Sequence, residues 1–428
     1  MAKAVTALDT AGGFLLADGT GVGKTRQLLA LGGIYAERGK KVLIVSKAQI
    51  LGDKWSSGQV GGSFGKDPVA MGVSLTTSKG GPLEPGKPVL TTYENLKGFA
   101  GHVGPDTVVL FDEAHSLKNA GAARSQEGRA LATAAGGVVY ATATPADDPL
   151  DVAYLFRTRL FGDRPWEDVR KDFSVTKHGA AEVVRRVDEM FGKLTEQGLM
   201  VKREISLDGL DVEVGRVALP PEAHAEMAAV AAATDPKDRA QVLMRSRRQQ
   251  EVYKVKAAAD DIEKDLKAGR SVILFCARAN PDAGSPVAGT PALVRAELAR
   301  RGISDVVEYH GGEGGQGQAA VKAFQAGEAR VFVTTPDSGG TGINLDDTVG
   351  DRPRTMLVMT APFSALDQVQ MAGRAVRLTT KSKAKLKYLF ADTAVDDWNA
   401  NLAAGAMANL GAIVAGQTNR LKIEHRPP

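Results

Sequence analysis

Apolar residues along this chain gather into short unbroken runs separated by polar, helix-like stretches. In the first part Phe14–Ala17, Lys41–Val45, Pro88–Thr91, Thr107–Phe111 and Gly137–Ala141 each predict a strand. A run that is apolar at every position is covered on both faces, as happens in a parallel sheet packed between helices. Thr25–Arg38 has helical periodicity, and Val60–Lys87, rich in Gly, Ser and Pro, predicts a long loop or an excursion between strands. From Pro149 to about Lys256 the pattern is mostly helical, with a basic run at Arg245–Arg248 and a β-like interruption near Leu207–Leu219. Strands then return at Val272–Cys276, Val306–Tyr309, Val331–Thr334, Thr355–Thr360 and Lys387–Phe390. Helices are expected at Pro291–Arg301 and Ala319–Gln325, a loop at Ala279–Gly289, a helix over Val395–Ala415 and a frayed end at Arg420–Pro428. Two stretches of strand–helix alternation predict an α/β fold of two doubly wound parallel-sheet domains with a helical linking region. The expected boundaries are 1–160, 161–255, 256–400 and a tail of 401–428.

A length of 428 residues suits two large domains, and 43% hydrophobic with 24% charged residues is a globular composition. The single cysteine, Cys276, excludes an intramolecular disulfide and a Cys-rich metal cluster, which points to a reducing compartment. The N-terminal stretch lacks the basic-then-apolar pattern of a secretory signal, and no transmembrane run is visible. A cytoplasmic location, in a bacterium or a phage-infected host, and no membrane partner are therefore expected. A net charge of +4 says little about nucleic acid, because a basic groove can sit on a nearly neutral body.

The sharpest local signal is Asp18-Gly19-Thr20-Gly21-Val22-Gly23-Lys24-Thr25, which follows an apolar strand and opens a helix. Glycines let backbone N–H groups turn inward at a helix N-terminus and cradle phosphate. In that setting Lys24 reaches the outer phosphates of a nucleotide and Thr25 offers its hydroxyl to Mg²⁺. The strict pattern begins with glycine, and Asp18 departs from it. The strand Thr107–Phe111 runs into Asp112 and Glu113, at the sheet edge where α/β proteins bind ligands. Asp112 is the candidate Mg²⁺ holder and Glu113 the candidate base for an attacking water. Thr142 and Thr144 stand at the end of the next strand. In the second half Gln370, Arg374 and Arg377 fall on an expected helix, the arginines three apart on one face. A guanidinium there can neutralise charge on a γ-phosphate. Ser338 to Leu345, with Gly342, forms a second Gly-rich loop suited to phosphate. The alternating Lys381, Lys383, Lys385 and Lys387 read as the exposed face of a strand.

Taken together, these segments resemble the motifs of superfamily 2 helicases and translocases: LADGTGVGKT motif I, DEAHSLKN motif II, TATP motif III, SGGTGINL motif V and QMAGRAVR motif VI. LIVSKAQILGDKW, TTYENL, YATATPADDPLDVAYL and GLMVKREISLDGLDVEV are similar to the Strawberry notch group and to Swi/Snf-type translocases. The resemblance spans nearly the whole chain. It implies two RecA-like domains with ATP and Mg²⁺ bound between them, and His115 coupling the site to motif III, with Thr142 and Thr144, or to motif VI. It also implies nucleic-acid contacts at Lys47, Lys54, Thr92, Tyr93, Lys118, Asn119, His310, Gly311 and Ser338. The activity implied is that of a nucleic-acid-dependent ATPase motor, a translocase or helicase moving on DNA. Duplex DNA is the favoured track, with single-stranded DNA or RNA next, and a protein partner is expected to supply targeting. An RNA helicase and a nucleotide-switched scaffold with little turnover are the alternatives. Helicases of this kind carry an adenine-reading glutamine before the phosphate loop. Here 17 residues precede Asp18 and none is Gln, so weak base selectivity is expected.

Overall fold

The parallel strands predicted from the apolar runs are present in two separate sheets, one in each of two units, Met1–Ile205 and Ser206–Ala408. The structure is a computed structural model. It describes residues 1–401 except 20, 53, 144, 146–148, 159, 162–163, 165, 173–177, 179, 204–209, 233–238, 278–288, 311–314, 337–342, 363–364, 378, 394–395 and 398–399. The expected loop 279–289 and helical tail 395–415 fall mostly outside the described residues. Among the described residues no helix is long and apolar enough to cross a membrane.

The first unit begins with α1 (Ala2–Ala11), β1 (Gly13–Leu16), α2 (Lys24–Glu37), β2 (Lys41–Ser46), α3 (Ala48–Leu51) and α4 (Gly62–Met71). It continues with β3 (Thr76–Thr77), β4 (Val89–Thr92), β5 (Thr107–Asp112), α5 (Ala123–Ala134), β6 (Gly137–Ala141), α6 (Trp166–Asp172), α7 (Ala180–Glu196) and β7 (Met200–Val201). Its sheet runs β3-β4-β2-β5-β6-β1-β7, every pairing parallel. β1, β4, β5 and β6 are buried at every position, so the unbroken apolar runs mark a two-sided core. The expected loop over 60–87 is corrected in part: α4 lies within it, although Gly62, Gly65 and Pro68 are poor helix formers. Packing overrides propensity there, because Phe64 is buried and Asp67 pairs with Arg26 of α2 at 3.1 Å. Helix α1 has no counterpart in the sequence reading. It buries Ala4, Ala7 and Leu8 and ends at Gly12, whose φ of 70° is a left-handed cap that glycine adopts without strain.

The second unit holds β8 (Leu210–Val217), α8 (Pro221–Ala232), α9 (Arg239–Lys267), β9 (Ser271–Phe275), α10 (Thr290–Arg300), β10 (Val306–Tyr309), α11 (Gly315–Ala326), β11 (Val331–Thr334), β12 (Arg354–Val358), α12 (Ala365–Ala372) and β13 (Ala384–Ala391). Its strand order is β10-β11-β9-β12-β13-β8, again wholly parallel. The β-like stretch near Leu207–Leu219 is thus an edge strand of this sheet. Within the basic run Arg245–Arg248, Arg247 is buried and donates to the Ala361 carbonyl. One and two turns on, Glu251 accepts from Thr290, Thr360 and the Ala277 N–H, and Lys254 meets Asp396 at 2.5 Å. Burial raises the Glu251 carboxyl above its ordinary range. Lys385 and Lys387 are also corrected. They are only 19% and 17% exposed and pair with Glu213, Asp265 and Asp261, because α9 and β8 place acids beside them.

The close approach of Gly13 to the 3₁₀ segment Pro149–Thr158 gives a stability test. A Cβ at Gly13 would lie 1.8 Å from the Arg157 carbonyl oxygen and 2.4 Å from its carbon, and neither backbone atom can swing aside. Gly13→Ala is expected to cost about 2–3 kcal/mol in urea unfolding. An unchanged midpoint would contradict the packing of that segment on β1.

Candidate functional site

Strand register alone gathers the motif residues of the first unit. Leu16 pairs with Ala141, and Ala141 with Asp112, in one row across β1, β6 and β5. The residues that follow therefore leave the same sheet edge side by side: Ala17 and Asp18, Thr142, and Glu113. Beneath this edge Tyr93, Phe111 and Tyr140 stack at centroid distances of 6.2 and 5.7 Å, and Tyr154 meets Tyr140 edge-on at 5.5 Å. Such aromatic packing adds rigidity beyond plain burial.

The phosphate-loop candidate has the expected shape. Gly21 and Gly23 hold φ of 83° and 87°, and Gly23 is the residue from which α2 starts. A Cβ at Gly23 would meet nothing within 4 Å, so the demand for glycine is conformational. A glycine turn at a helix N-terminus leaves backbone N–H groups and the positive end of the helix for an anion. Lys24 is 8% exposed, and its ammonium donates to the carbonyls of Asp18 and Gly19, both at 2.9 Å. Gly19, Gly21, Val22 and Thr25 are half-buried around it. Thr20 lies outside the described residues.

Asp18, the departure from the strict pattern, is fully buried, and Arg203 and Gln27 both donate to its carboxylate. Neither partner was found from sequence. The signal available was Asp18 itself, since a carboxylate in a phosphate loop calls for a compensating cation.

Asp112 is 3% exposed and accepts a hydrogen bond from Ser46 at 3.0 Å. Burial pushes its carboxyl up to about 7. The neighbouring Glu113 adds to the rise, while Ser46 and the Lys24 ammonium oppose it. Glu113 has φ of 51°, the one positive φ at a non-glycine position among the described residues. Such a backbone costs on the order of 1–2 kcal/mol, so tertiary structure holds the residue there. His115 is the hub. Its Nε2 lies 2.8 Å from Lys47 Nζ, and its Nδ1 lies 3.2 Å from Thr142 Oγ1 and 3.3 Å from Glu113 Oε2. An ammonium can only donate, so Nε2 accepts and Nδ1 carries the proton toward Thr142 and Glu113.

Two expected nucleic-acid contacts sit elsewhere than at a surface. Tyr93 is 1% exposed and its hydroxyl donates to the Asp112 carbonyl at 2.7 Å, while Thr92, also 1% exposed, accepts from Asn95. Tyr93 thus supports the acidic strand end from below, and its buried ring offers no face to an outside strand. Lys54 and Asn119 are exposed and Lys118 is half-buried. In the second unit His310 contacts Glu308 at 2.9 Å. Gly311, Ser338, Gly342 and Thr144 lie outside the described residues, as does the side chain of Gln370. The expectation that Arg374 and Arg377 share a helix face is corrected, since α12 ends at Ala372. Both lie in the turns that follow Gly373, and there they converge, each donating to the Ile343 carbonyl at 3.0 and 3.1 Å. Burial lowers the Arg377 pKa, which leaves a guanidinium charged at any physiological pH.

The family profile described as P-loop containing NTP hydrolase pore-1 matches residues 88–227. Protein strawberry notch homolog 2 of Mus musculus is 27% identical over 237 residues, which cover 49% of this chain and 17% of that protein. The Homo sapiens homolog 2 gives 27% over 245 residues, covering 49% and 16%. The Caenorhabditis elegans Strawberry notch homolog gives 33% over 130 residues, covering 27% and 7%. The chain thus spans at most 17% of the length of these relatives. A solved Sulfolobus solfataricus SWI2/SNF2 ATPase core in complex with dsDNA aligns over 97% of this chain and 92% of its own, at 17% identity and a TM-score of 0.40. The chain is thus similar, over residues 88–227, to a profile of P-loop NTP hydrolases and, over up to half of its length, to part of the Strawberry notch proteins.

Tyr93→Phe tests the buried support. Loss of the hydroxyl is expected to lower unfolding free energy by about 1 kcal/mol in urea unfolding. Unchanged stability would contradict the bond to the Asp112 carbonyl.

Proposed function

We propose that this chain is an ATP-hydrolysing motor that moves on DNA, with duplex DNA as its track. The observation that carries the reading is the convergence of Lys24, Asp112, Glu113, His115 and Thr142 on one edge of one sheet. Lys24 exchanges the carbonyls of Asp18 and Gly19 for the outer phosphates of ATP. Thr25 and Asp112 offer the hard oxygen donors that suit Mg²⁺. The ion fits because Asp112 is buried with the neutral Ser46 hydroxyl as its partner, and a cation supplies the charge that burial otherwise disfavours. When bound, Mg²⁺ neutralises charge on the phosphate oxygens. Glu113 orients the attacking water and accepts its proton. His115 holds the Glu113 carboxylate and reports its position to Thr142 and Lys47. Gln370, Arg374 and Arg377 are assigned to the same reaction on the resemblance of QMAGRAVR to motif VI.

The preference for duplex DNA follows from the likeness of DEAHSLKN and TTYENL to Swi/Snf-type translocases. The exposed Lys54 and Asn119, with Lys118 and Lys47, are the proposed phosphate contacts in the first unit. Targeting by a protein partner is proposed as well.

The test is steady-state ATPase rate alone and with single-stranded DNA, duplex DNA or RNA, with Glu113→Gln as blank. The expected result is stimulation by duplex above the other two. Stimulation by RNA alone would move the assignment to an RNA helicase, and a wild-type rate equal to the blank would move it to a switch. Arg377→Ala is expected to keep nucleotide affinity within about threefold and to lower kcat by roughly 10³. A collapse of affinity would contradict its role in turnover.

A further inference from the structure

Asp18 stands where a phosphate loop ordinarily carries glycine, and a carboxylate there adds negative charge beside a bound triphosphate. Its side chain has no exposure to solvent. The compensating cation arrives from Arg203, 185 residues along the chain. Arg203 Nε lies 3.2 Å from both carboxylate oxygens and Nη2 lies 2.5 Å from Oδ2. Gln27 closes the arrangement: its Nε2 donates to Oδ2 at 2.9 Å and its Oε1 accepts from Arg203 Nη2 at 2.8 Å. The backbone joins in, for the Gly19 N–H donates to the Arg203 carbonyl at 2.7 Å. Strand β7 delivers Arg203 by pairing Met200 and Val201 with Leu15 and Leu16, immediately before the loop. Arg203 also lines a hollow beside α1, together with Gln27, Met1 and Lys3.

We infer that Arg203 is a positioning residue for nucleotide binding, acting through Asp18 to neutralise the phosphate loop and to fix its first two carbonyls. The inference rests on the phosphate-loop reading given above. Those two carbonyls are the ones that hold the Lys24 ammonium. Without Arg203 the buried carboxylate keeps the neutral Gln27 amide and loses its cation, and Lys24, already bonded at the Asp18 backbone, is the cation it draws. A lysine held by Asp18 is withheld from phosphate, and the loop repels the incoming anion. The first effect is therefore on affinity, with the chemical step affected less.

The test is a double-mutant cycle on the full chain, read by titration with a fluorescent ATP analogue in Mg²⁺ and by kcat. Arg203→Ala is expected to weaken binding by about tenfold or more while kcat falls less than about threefold, the weight of one charge-assisted contact. In an Asp18→Gly background, where no carboxylate needs a partner, the same change is expected to weaken binding by less than about threefold. Arg203→Lys is expected to fall between, since lysine keeps the charge and loses the fork. Circular dichroism and the melting midpoint monitor the fold. Should Arg203→Ala unfold, Arg203→Gln and Arg203→Lys carry the same cycle. Equal losses in both backgrounds would assign Arg203 to strand-edge stability alone and overturn the inference, as would no loss in either. Absence of binding by the unaltered protein would instead overturn the phosphate-loop reading, and the two failures are distinct.

Discussion

Hydrogen-bond register in a parallel sheet decides where a strand's last residue stands, and in the first unit it decides the site. Because Leu16, Ala141 and Asp112 share one row, three loops that are far apart in sequence leave the sheet on neighbouring strands, spaced about 5 Å apart. A one-residue slip of β5 would turn Asp112 to the opposite face of the sheet and break its bond to Ser46. The apolar run of β5 and its aromatic stack make such a slip costly, since Phe111 would leave Tyr93 and Tyr140 for the other face. The core therefore serves the chemistry by fixing register.

The site that results brings three carboxylates near one anion-binding loop, and each is handled differently. Asp18 is neutralised by Arg203. Asp112 is buried beside a hydroxyl and leans toward its protonated form, a tendency that a divalent cation reverses. Glu113 is held by a strained backbone and by His115, whose tautomer follows from the Lys47 ammonium on its other nitrogen. In the proposed motor the three would divide the labour, with Asp18 neutralised, Asp112 kept for a metal and Glu113 kept for water.

Much of this was legible in the sequence, because buried parallel strands write themselves as unbroken apolar runs and phosphate loops need glycine at fixed positions. β6, β10 and β11 fall on the residues expected, and the other core strands within a few residues. Contacts between distant segments were not legible. Nothing local marks Arg203 as the partner of Asp18, nor Tyr93 as a buried prop for Asp112, since both depend on which strands become neighbours. Helix α4 was missed because its glycines and proline argue against it, and only packing on α2 favours it. The motif VI arginines were placed on a helix because their spacing suits one. The chain turns at Gly373 instead, and the shared Ile343 carbonyl brings them together.

The most direct measurement is a crystal structure of the full chain grown with Mg²⁺ and a non-hydrolysable ATP analogue. The account predicts the outer phosphates on Lys24 and the loop N–H groups, and the metal between Thr25 and Asp112. It further predicts Glu113 still in its left-handed conformation, facing the γ-phosphate. A nucleotide bound at another place, or one bound while Lys24 stays on the carbonyls of Asp18 and Gly19, would contradict it.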